Sequence, residues 1–371
     1  MIDLAAARET FEASQDLTVG IEEEYALLDP ETLELIPRFE VLRDAGAADP
    51  VMQYAIAGEL ISSEIEIRSG KGEDFADARA RQHEARRRLH ALAERHGTRL
   101  GSTGTHPLSD YQEQHIIDTP HYHRVEDGLR YVAWRNNTFA LQVHVGVHGA
   151  DRAVRVCDRL RPVLPLLLAI SANSPYVDRI DSGLHSARTQ IFTRSFPRCG
   201  VPDAFGSWAA WHDYVDLLVR TGSIVEFTQM WWSVRPHHDF GTVEVRICDA
   251  QTTVAEADAL EELLVACVAQ ALREIDAGEA PPDLPGRLIE ENMWRAIRYG
   301  QDGRLIDLEA REEFPAAEAL DRLKAWTGAD VALPELNGAQ RQRRMIDAGA
   351  SPYEVYAKCV EETRATDETT V

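Results

Sequence analysis

Hydrophobic and polar positions along the chain fall into stretches of period two and stretches of helical period. Alternation predicts strands at 17–28, 60–68, 139–147, 224–234 and 241–249. In 254–276 the apolar residues Leu260, Leu263, Leu264, Cys267, Val268, Ala271, Leu272 and Ile275 form one stripe behind a Thr253 cap, which predicts an amphipathic helix. A second helix is predicted over 74–96, opening on Asp74 and stopping at Gly97, with its arginine run as a solvated face. The apolar segment 154–175 contains Pro162 and Pro165, which predict two short core helices. Prolines and glycines at 277–286 mark a linker. Beyond it, helices are expected at 286–300, at 309–326 and from 337 onward, and the polar residues 364–371 are expected to fray. Strands and helices do not alternate regularly, which points to an α+β fold with a mainly antiparallel sheet.

Four of the strands share one design. In T-V-G-I-E-E-E-Y-A-L-L, Glu22 and Glu24 share a face, while Ile21, Glu23, Tyr25 and Leu27 take the other. In 60–68 the charged face is Ser62, Glu64, Glu66 and Arg68; in 139–147 and the residue after it, it is Gln142, His144, Gly146 and His148; in 241–249 it is Thr242, Glu244, Arg246 and Cys248. One amphipathic strand is ordinary in an antiparallel sheet. Four polar faces made of carboxylates, one imidazole and arginines are not, because crowded like charges need a compensating cation. Hard oxygen ligands with at most one nitrogen suit Mg²⁺ or Mn²⁺. Magnesium on carboxylates usually has a nucleotide phosphate as a further ligand.

Composition narrows the partners. The formal charge is -23, from 39 Lys and Arg against 62 Asp and Glu, which argues against affinity for nucleic acid or an anionic membrane. No apolar run approaches a membrane span, and the acidic N-terminus lacks the pattern of a secretory signal, so a cytoplasmic protein is expected. Five widely spaced cysteines without a C-x-x-C predict packed, reduced thiols. Any anionic substrate then needs local arginines, and Arg188, Arg198, Arg235 and Arg246 are the candidates, although ion pairing within the fold is the default for each. No G-x-x-x-x-G-K-[ST], G-x-G-x-x-G or G-x-S-x-G occurs, so nucleotide binding would be led by metal on a sheet. Of Trp231 and Trp232, adjacent on a strand, at least one is expected in the core. His237 and His238 follow Pro236 in an expected turn, where surface placement and substrate contact weigh equally.

The pieces T-V-G-I-E-E-E-Y-A-L-L-D-P, E-I-E-I-R-S-G, T-G-T-H-P, L-Q-V-H-V-G-V, S-A-N-S-P-Y, S-F-P-R-C-G-V-P, W-W-S-V-R-P-H, G-T-V-E-V-R-I-C-D and E-N-M-W-R-A-I-R-Y-G occur in this order between residues 18 and 300. Together they resemble the type 2 glutamate–cysteine ligase family of carboxylate–amine ligases, whose catalytic fold is similar to that of glutamine synthetase. The resemblance implies one catalytic domain over 1–371, with 286–371 as a helical C-terminal portion, and a curved sheet forming a funnel with helices on its outer face. It implies two or three Mg²⁺ ions held by Glu22, Glu24, Glu59, Glu66, His144 and Glu244. Glu59 and Glu66 are an odd number apart, so a loop or bulge must separate them for both to bind.

The implied reaction joins a carboxylate, the γ-carboxyl of glutamate, to a small amine such as cysteine through an acyl phosphate, with Glu244, Arg235 and Arg246 in catalytic roles. Arg188 and Arg198 would face anionic groups of the intermediate or substrate, and Asn292 and Arg295 would line the nucleotide end. Partners would be ATP and small molecules, with a homo-oligomer open. The sequence departs from the family pattern at G-K-G (70–72) and at F-A-L-Q before His144, both expected at the amino-acid rim. Two competing readings of the same residues are a metal-dependent hydrolase or phosphatase and a non-catalytic nucleotide sensor.

Overall fold

A computed structural model describes residues 3–282 and 284–368. Residue 283 of the linker and residues 369–371 of the tail lie outside the described residues. The strands are β1 (Val19–Leu28), β2 (Ile56–Ala57), β3 (Glu64–Arg68), β4 (Arg99–Gly101), β5 (Ala140–Gly146), β6 (Tyr176–Val177), β7 (Ile180–Asp181), β8 (Cys199–Gly200), β9 (Trp231–Trp232), β10 (Val234–His237), β11 (Thr242–Asp249), β12 (Arg304–Asp307) and β13 (Glu312–Pro315). Seven of them form one sheet in the order β10-β11-β5-β1-β3-β2, with β4 also on β1 and every pairing antiparallel.

The expected helices form where their caps predict. Asp74 caps Phe75–Arg95 and Thr253 caps Val254–Asp276, each side chain accepting from a backbone N–H of the first turn. The proline-broken segment folds as Ala150–Leu160, a short 3₁₀ turn and Leu164–Ser171. These helices cover the apolar face of the sheet: Ile21, Val143, Val145, Val243 and Val245 pack with Val156, Leu167, Leu260, Leu264 and Val268. Tyr25, Leu27, Ile65 and Ile67 pack with Ala85, Leu89 and Leu92 of Phe75–Arg95. Among the described residues, no helix is long and apolar enough to cross a membrane. All five cysteines are free, and only Cys199 is not fully buried.

Four expectations are overturned. The span 224–234 is not one strand: a 3₁₀ turn at Phe227–Gln229 precedes β9 and β10. The span 309–326 begins in the turn and second strand of the hairpin β12–β13 and turns helical only at Ala319–Thr327, because Pro315 cannot continue a helix and Asp307 instead caps a tight turn through the N–H groups of Glu309 and Ala310. The C-terminal portion is therefore not wholly helical. On β11 a bulge sets three steps, Val245 to Cys248, against two on β5, which turns Cys248 into the core.

The arginine run is the fourth. Arg86 is only 2% exposed, pointing at the sheet while Arg87 and Arg88 stay outside. Its partner is Glu23, the middle glutamate of β1, which also accepts from Tyr25 Oη at 2.8 Å and Gln82 Nε2 at 3.2 Å. Glu261, from Val254–Asp276, completes this buried cluster, and burial together with the Glu23 charge pushes it well above the usual carboxylate range.

Candidate active site

The sheet register gathers the charged face. Glu24 stands opposite Glu66, Glu22 opposite both Arg68 and Gln142, and Glu244 opposite both His144 and Arg235. Side chains of such cross-strand neighbours lie within contact reach, so five strands present one concave basin. It encloses a cavity of about 300 Å³. Glu59 enters from the irregular segment before β3, and its carboxylate lies within 4.8 Å of those of Glu24 and Glu66. The odd spacing is thus resolved by a loop.

Two electrostatic halves follow. In the first, carboxylates are matched by cations. Glu244 accepts from Arg235 Nε at 2.7 Å and Arg246 Nη1 at 2.6 Å. Burial opposes its charge, but the two guanidiniums hold it well below the usual range. Glu22 sits 3.5 Å from His144 Nε2 and 3.3 Å from Arg68 Nε, and these outweigh burial and hold it at about 2. In the second half, positive charge is short. Burial, then the Glu24 charge, raises Glu59 to about 7 and Glu64 well above its usual value; burial, then Glu22, does the same to Glu66. Burial likewise raises Glu24.

The donors fit a hard divalent cation. Glu66 Oε2, Glu64 Oε2 and His144 Nε2 are buried without a hydrogen-bond partner, and all three border the basin. His144 is oriented by Thr242 Oγ1, 3.0 Å from its Nδ1, which leaves Nε2 toward the basin. Glu24 is steered by Gln142 Nε2 at 2.7 Å and the Ala140 N–H.

Past His144 the basin continues into a second cavity of about 310 Å³, lined by Val19, Gly20, Gly70, Lys71, Phe240 and Thr242 and sharing Glu22 and Arg68. Its lining is mostly apolar, with Lys71 as its own cation.

Glu22, Glu24, Glu59, Glu66, His144, Glu244, Arg188, Arg235 and Arg246 all line the basin. Arg188, however, faces β11: it donates to the carbonyls of Ile247 at 3.1 Å and Arg246 at 3.0 Å, the groups that the bulge frees from the ladder. Arg198 lies behind Trp231, donating to the Gln229 carbonyl at 2.9 Å with its guanidinium over the indole. Asn292 and Arg295 are not brought to the basin. Asn292 clips β12 through both atoms of its amide, to the Ile306 carbonyl and N–H, and Arg295 pairs with Glu291 and Glu313.

Residues outside the predicted set also line it: Glu64, Gln142, Tyr122, Trp231 and His237. Glu64 and Gln142 were legible as members of the charged faces. His237 ends β10 rather than lying in a turn; it stacks on Phe240 at 4.5 Å and meets His144 edge-on at 5.1 Å. Burial lowers its pKa to about 2, so it stands there as a neutral ring. Of the tryptophan pair, Trp232 is core and Trp231 borders the basin.

Comparison with known proteins converges on one family. Residues 18–358 match the family described as glutamate-cysteine ligase family 2. A Rubrobacter xylanophilus protein with a provisional glutamate–cysteine ligase 2 name is 42% identical over 325 residues, 87% of this chain and 83% of its own. The Halobacterium salinarum glutamate–cysteine ligase is 34% identical over 340 residues, 90% of this chain and 94% of its own. The fold is shared with the crystal structure of the Francisella tularensis glutamate–cysteine ligase in complex with AMP, at 11% identity and a TM-score of 0.66, over 95% of this chain and 90% of that one. On its sequence along most of its length, and with a fold in agreement, the chain belongs to glutamate-cysteine ligase family 2.

Proposed function

We propose that the protein is an ATP-dependent ligase that joins the γ-carboxyl of glutamate to a primary amine through an acyl phosphate. The observation that carries the reading is the split basin: Glu22 and Glu244 neutralised by fixed cations, beside Glu24 and Glu59, which no arginine of the described residues pairs, and Glu66, which must share Arg68 with Glu22. Mg²⁺ or Mn²⁺ held there, with Glu22, His144 and Glu244 as the further ligands, would neutralise the triphosphate and the charge that develops on it.

The remaining chemistry falls to the chain itself. A glutamate carboxylate oxygen attacks the γ-phosphorus of ATP, the bond to the β-phosphate oxygen breaks, and ADP leaves. The neutral amine then attacks the acyl carbon, the bond from that carbon to the phosphate oxygen breaks, and the proton shed by nitrogen leaves with the phosphate as hydrogen phosphate. Such transfers need positioning and electrostatic stabilisation more than covalent help. Arg235 and Arg246 are fixed by Glu244, so their remaining donors meet the phosphoryl group without reorganising. This reading puts the nucleotide at the Lys71 end, where an apolar wall adjoins Lys71 and Arg68 with Glu22 and Asp239 beside them, in place of the amino-acid rim expected at G-K-G.

The test is ATP, glutamate and Mg²⁺ with hydroxylamine as acceptor. Hydroxamate with ADP and phosphate is expected, and AMP with pyrophosphate overturns the acyl-phosphate route. A phosphatase would release phosphate from ATP alone; a sensor would bind without release. Glu244→Gln should lower kcat at least about hundredfold; unchanged turnover removes Glu244 from the site.

A further inference from the structure

We infer that the turn joining β10 to β11 is a binding site for a zinc-class transition-metal cation, with His237, His238 and Asp239 as its protein ligands. The inference is separate from the ligase reading, and its test needs no turnover.

Among the described residues, two groups of metal-ligating side chains hold their donor atoms within 4.8 Å of one another. One is Glu24, Glu59 and Glu66 in the basin; the other is His237, His238 and Asp239, consecutive in the chain. On a continued strand, His237 and His238 would point to opposite faces. Instead β10 ends at His237 and the chain turns: the Gly241 N–H donates to the His237 carbonyl at 3.0 Å, and Gly241 takes a φ of 63°, which suits a residue without Cβ. The turn brings the two imidazoles nearly parallel, 12° between planes with centroids 5.6 Å apart, and sets Asp239 Oδ1 2.9 Å from His238 Nε2.

Aromatic neighbours hold both rings in place. Phe240 stacks on His237 at 4.5 Å, and Phe227 lies 3.6 Å from His238, centroid to centroid. His237 Nδ1 is buried without a hydrogen-bond partner, and such an atom calls for an explanation. Ion pairing of His238 with Asp239 accounts for neither that nitrogen nor the parallel rings. Asp239 is exposed, which gives an ion a way in from solvent.

The donor set selects the metal. Two imidazole nitrogens and one carboxylate oxygen match the three protein ligands of an open zinc site, with water in the fourth position. Imidazole suits Zn²⁺ and its transition-metal neighbours, whereas Mg²⁺ takes oxygen, so this turn and the basin carboxylates call for different cations. With bonds of about 2.0–2.2 Å, donors on one tetrahedral ion stand about 3.4 Å apart, a closure that rotation of the exposed Asp239 side chain supplies.

Zinc binding is measured on the intact chain by competition with a chromophoric chelator, without ATP and with excess Mg²⁺ so that the basin carboxylates are filled. One zinc per chain is expected, and Co²⁺ in its place should give the visible absorption of a four- or five-coordinate site with nitrogen ligands. His238→Gln and Asp239→Ala should each weaken zinc binding at least about tenfold, the loss that removal of even an outer partner brings, while Glu59→Gln binds zinc as the parent does. Because Asp239 is exposed, Asp239→Ala keeps the test sound if His238→Gln disturbs the packing on Phe227. No zinc bound in excess Mg²⁺, parental affinity in both turn variants, or a loss confined to Glu59→Gln overturns the inference.

Discussion

Removing the guanidinium of Arg86 tests how β1 tolerates three consecutive glutamates. Glu23, 5% exposed, is held by Arg86 Nε at 3.0 Å and by its Nη2, with Glu261 close by and itself pushed toward the protonated form. In Arg86→Met the chain keeps a side chain of similar length but leaves that carboxylate with Tyr25 Oη and Gln82 alone. Breaking a buried ion pair from one side costs about 3–5 kcal/mol. Unfolding entropy of about 2.1 cal/mol/K per residue amounts to roughly 0.8 kcal/mol/K over this chain, so the melting temperature should fall by about 4–6 °C.

Calorimetry at a fixed scan rate would measure that fall. The companion variant Glu23→Leu/Arg86→Met replaces both charges by apolar groups and should recover most of the loss, giving a coupling of at least about 2 kcal/mol. A drop below about 1 °C in the single variant, or a double variant no better than the sum of its parts, would refute the view that this pair neutralises the middle glutamate.

Three further outcomes follow from the same structure. Glu59→Gln removes one of the crowded carboxylates, so the variant should melt higher than the parent in EDTA and lose the stabilisation that Mg²⁺ with ATP gives the parent; an undiminished ligand-induced rise in Tm would exclude Glu59 from the cation site. Asn292→Ala breaks two backbone contacts of 2.7 and 2.8 Å to Ile306, costing about 2 kcal/mol in denaturant unfolding with KM for ATP unchanged; a tenfold rise in that KM would return the residue to the nucleotide site. His106 is held neutral by burial, its pKa lowered from 6.5 to about 4, with Nε2 donating to the Leu33 carbonyl. Above pH 6.5 it is neutral folded or unfolded; as pH falls toward 4 the unfolded chain alone takes the proton, so stability drops by roughly 3 kcal/mol from this group. His106→Gln should flatten the stability profile between pH 7 and 4.5, and an unchanged slope would assign the loss elsewhere.

What could be read from the sequence was whatever depends on the period of a single element. Two-residue alternation put Glu22, Glu24, Glu66, His144 and Glu244 on shared faces, and antiparallel pairing turned those faces into one basin. Asp74 and Thr253 declared their helices because a cap acts within one turn. What could not be read depends on packing between elements. Arg86 is indistinguishable from its neighbours in A-R-R-R-L until the helix is laid against β1. The β11 bulge leaves no local mark, so Cys248 was placed on the wrong face and the duty of Arg188 was hidden. Asn292 and Arg295, aimed one way along their helix, meet a hairpin whose second strand falls in the span expected to be helix; Pro315 was the available warning.

The middle of β1 shows why the site needs two kinds of neutralisation. Glu22 and Glu23 are answered by residues of the chain, Arg68 with His144 on one face and Arg86 on the other. An arginine is a permanent charge: it binds its carboxylate in every state of the enzyme and cannot leave with a product. Glu24, which shares Glu22's face, has Arg188 and Arg246 only as distant influences and is left with Glu59, Glu64 and Glu66 around it. A further guanidinium there would stabilise the fold and remove the purpose of the cluster, because its acidic oxygens would then have nothing to offer an exchangeable cation. Four crowded carboxylates with one shared arginine, Arg68 on Glu66, therefore cost stability in the empty protein, and that cost is what divalent binding relieves.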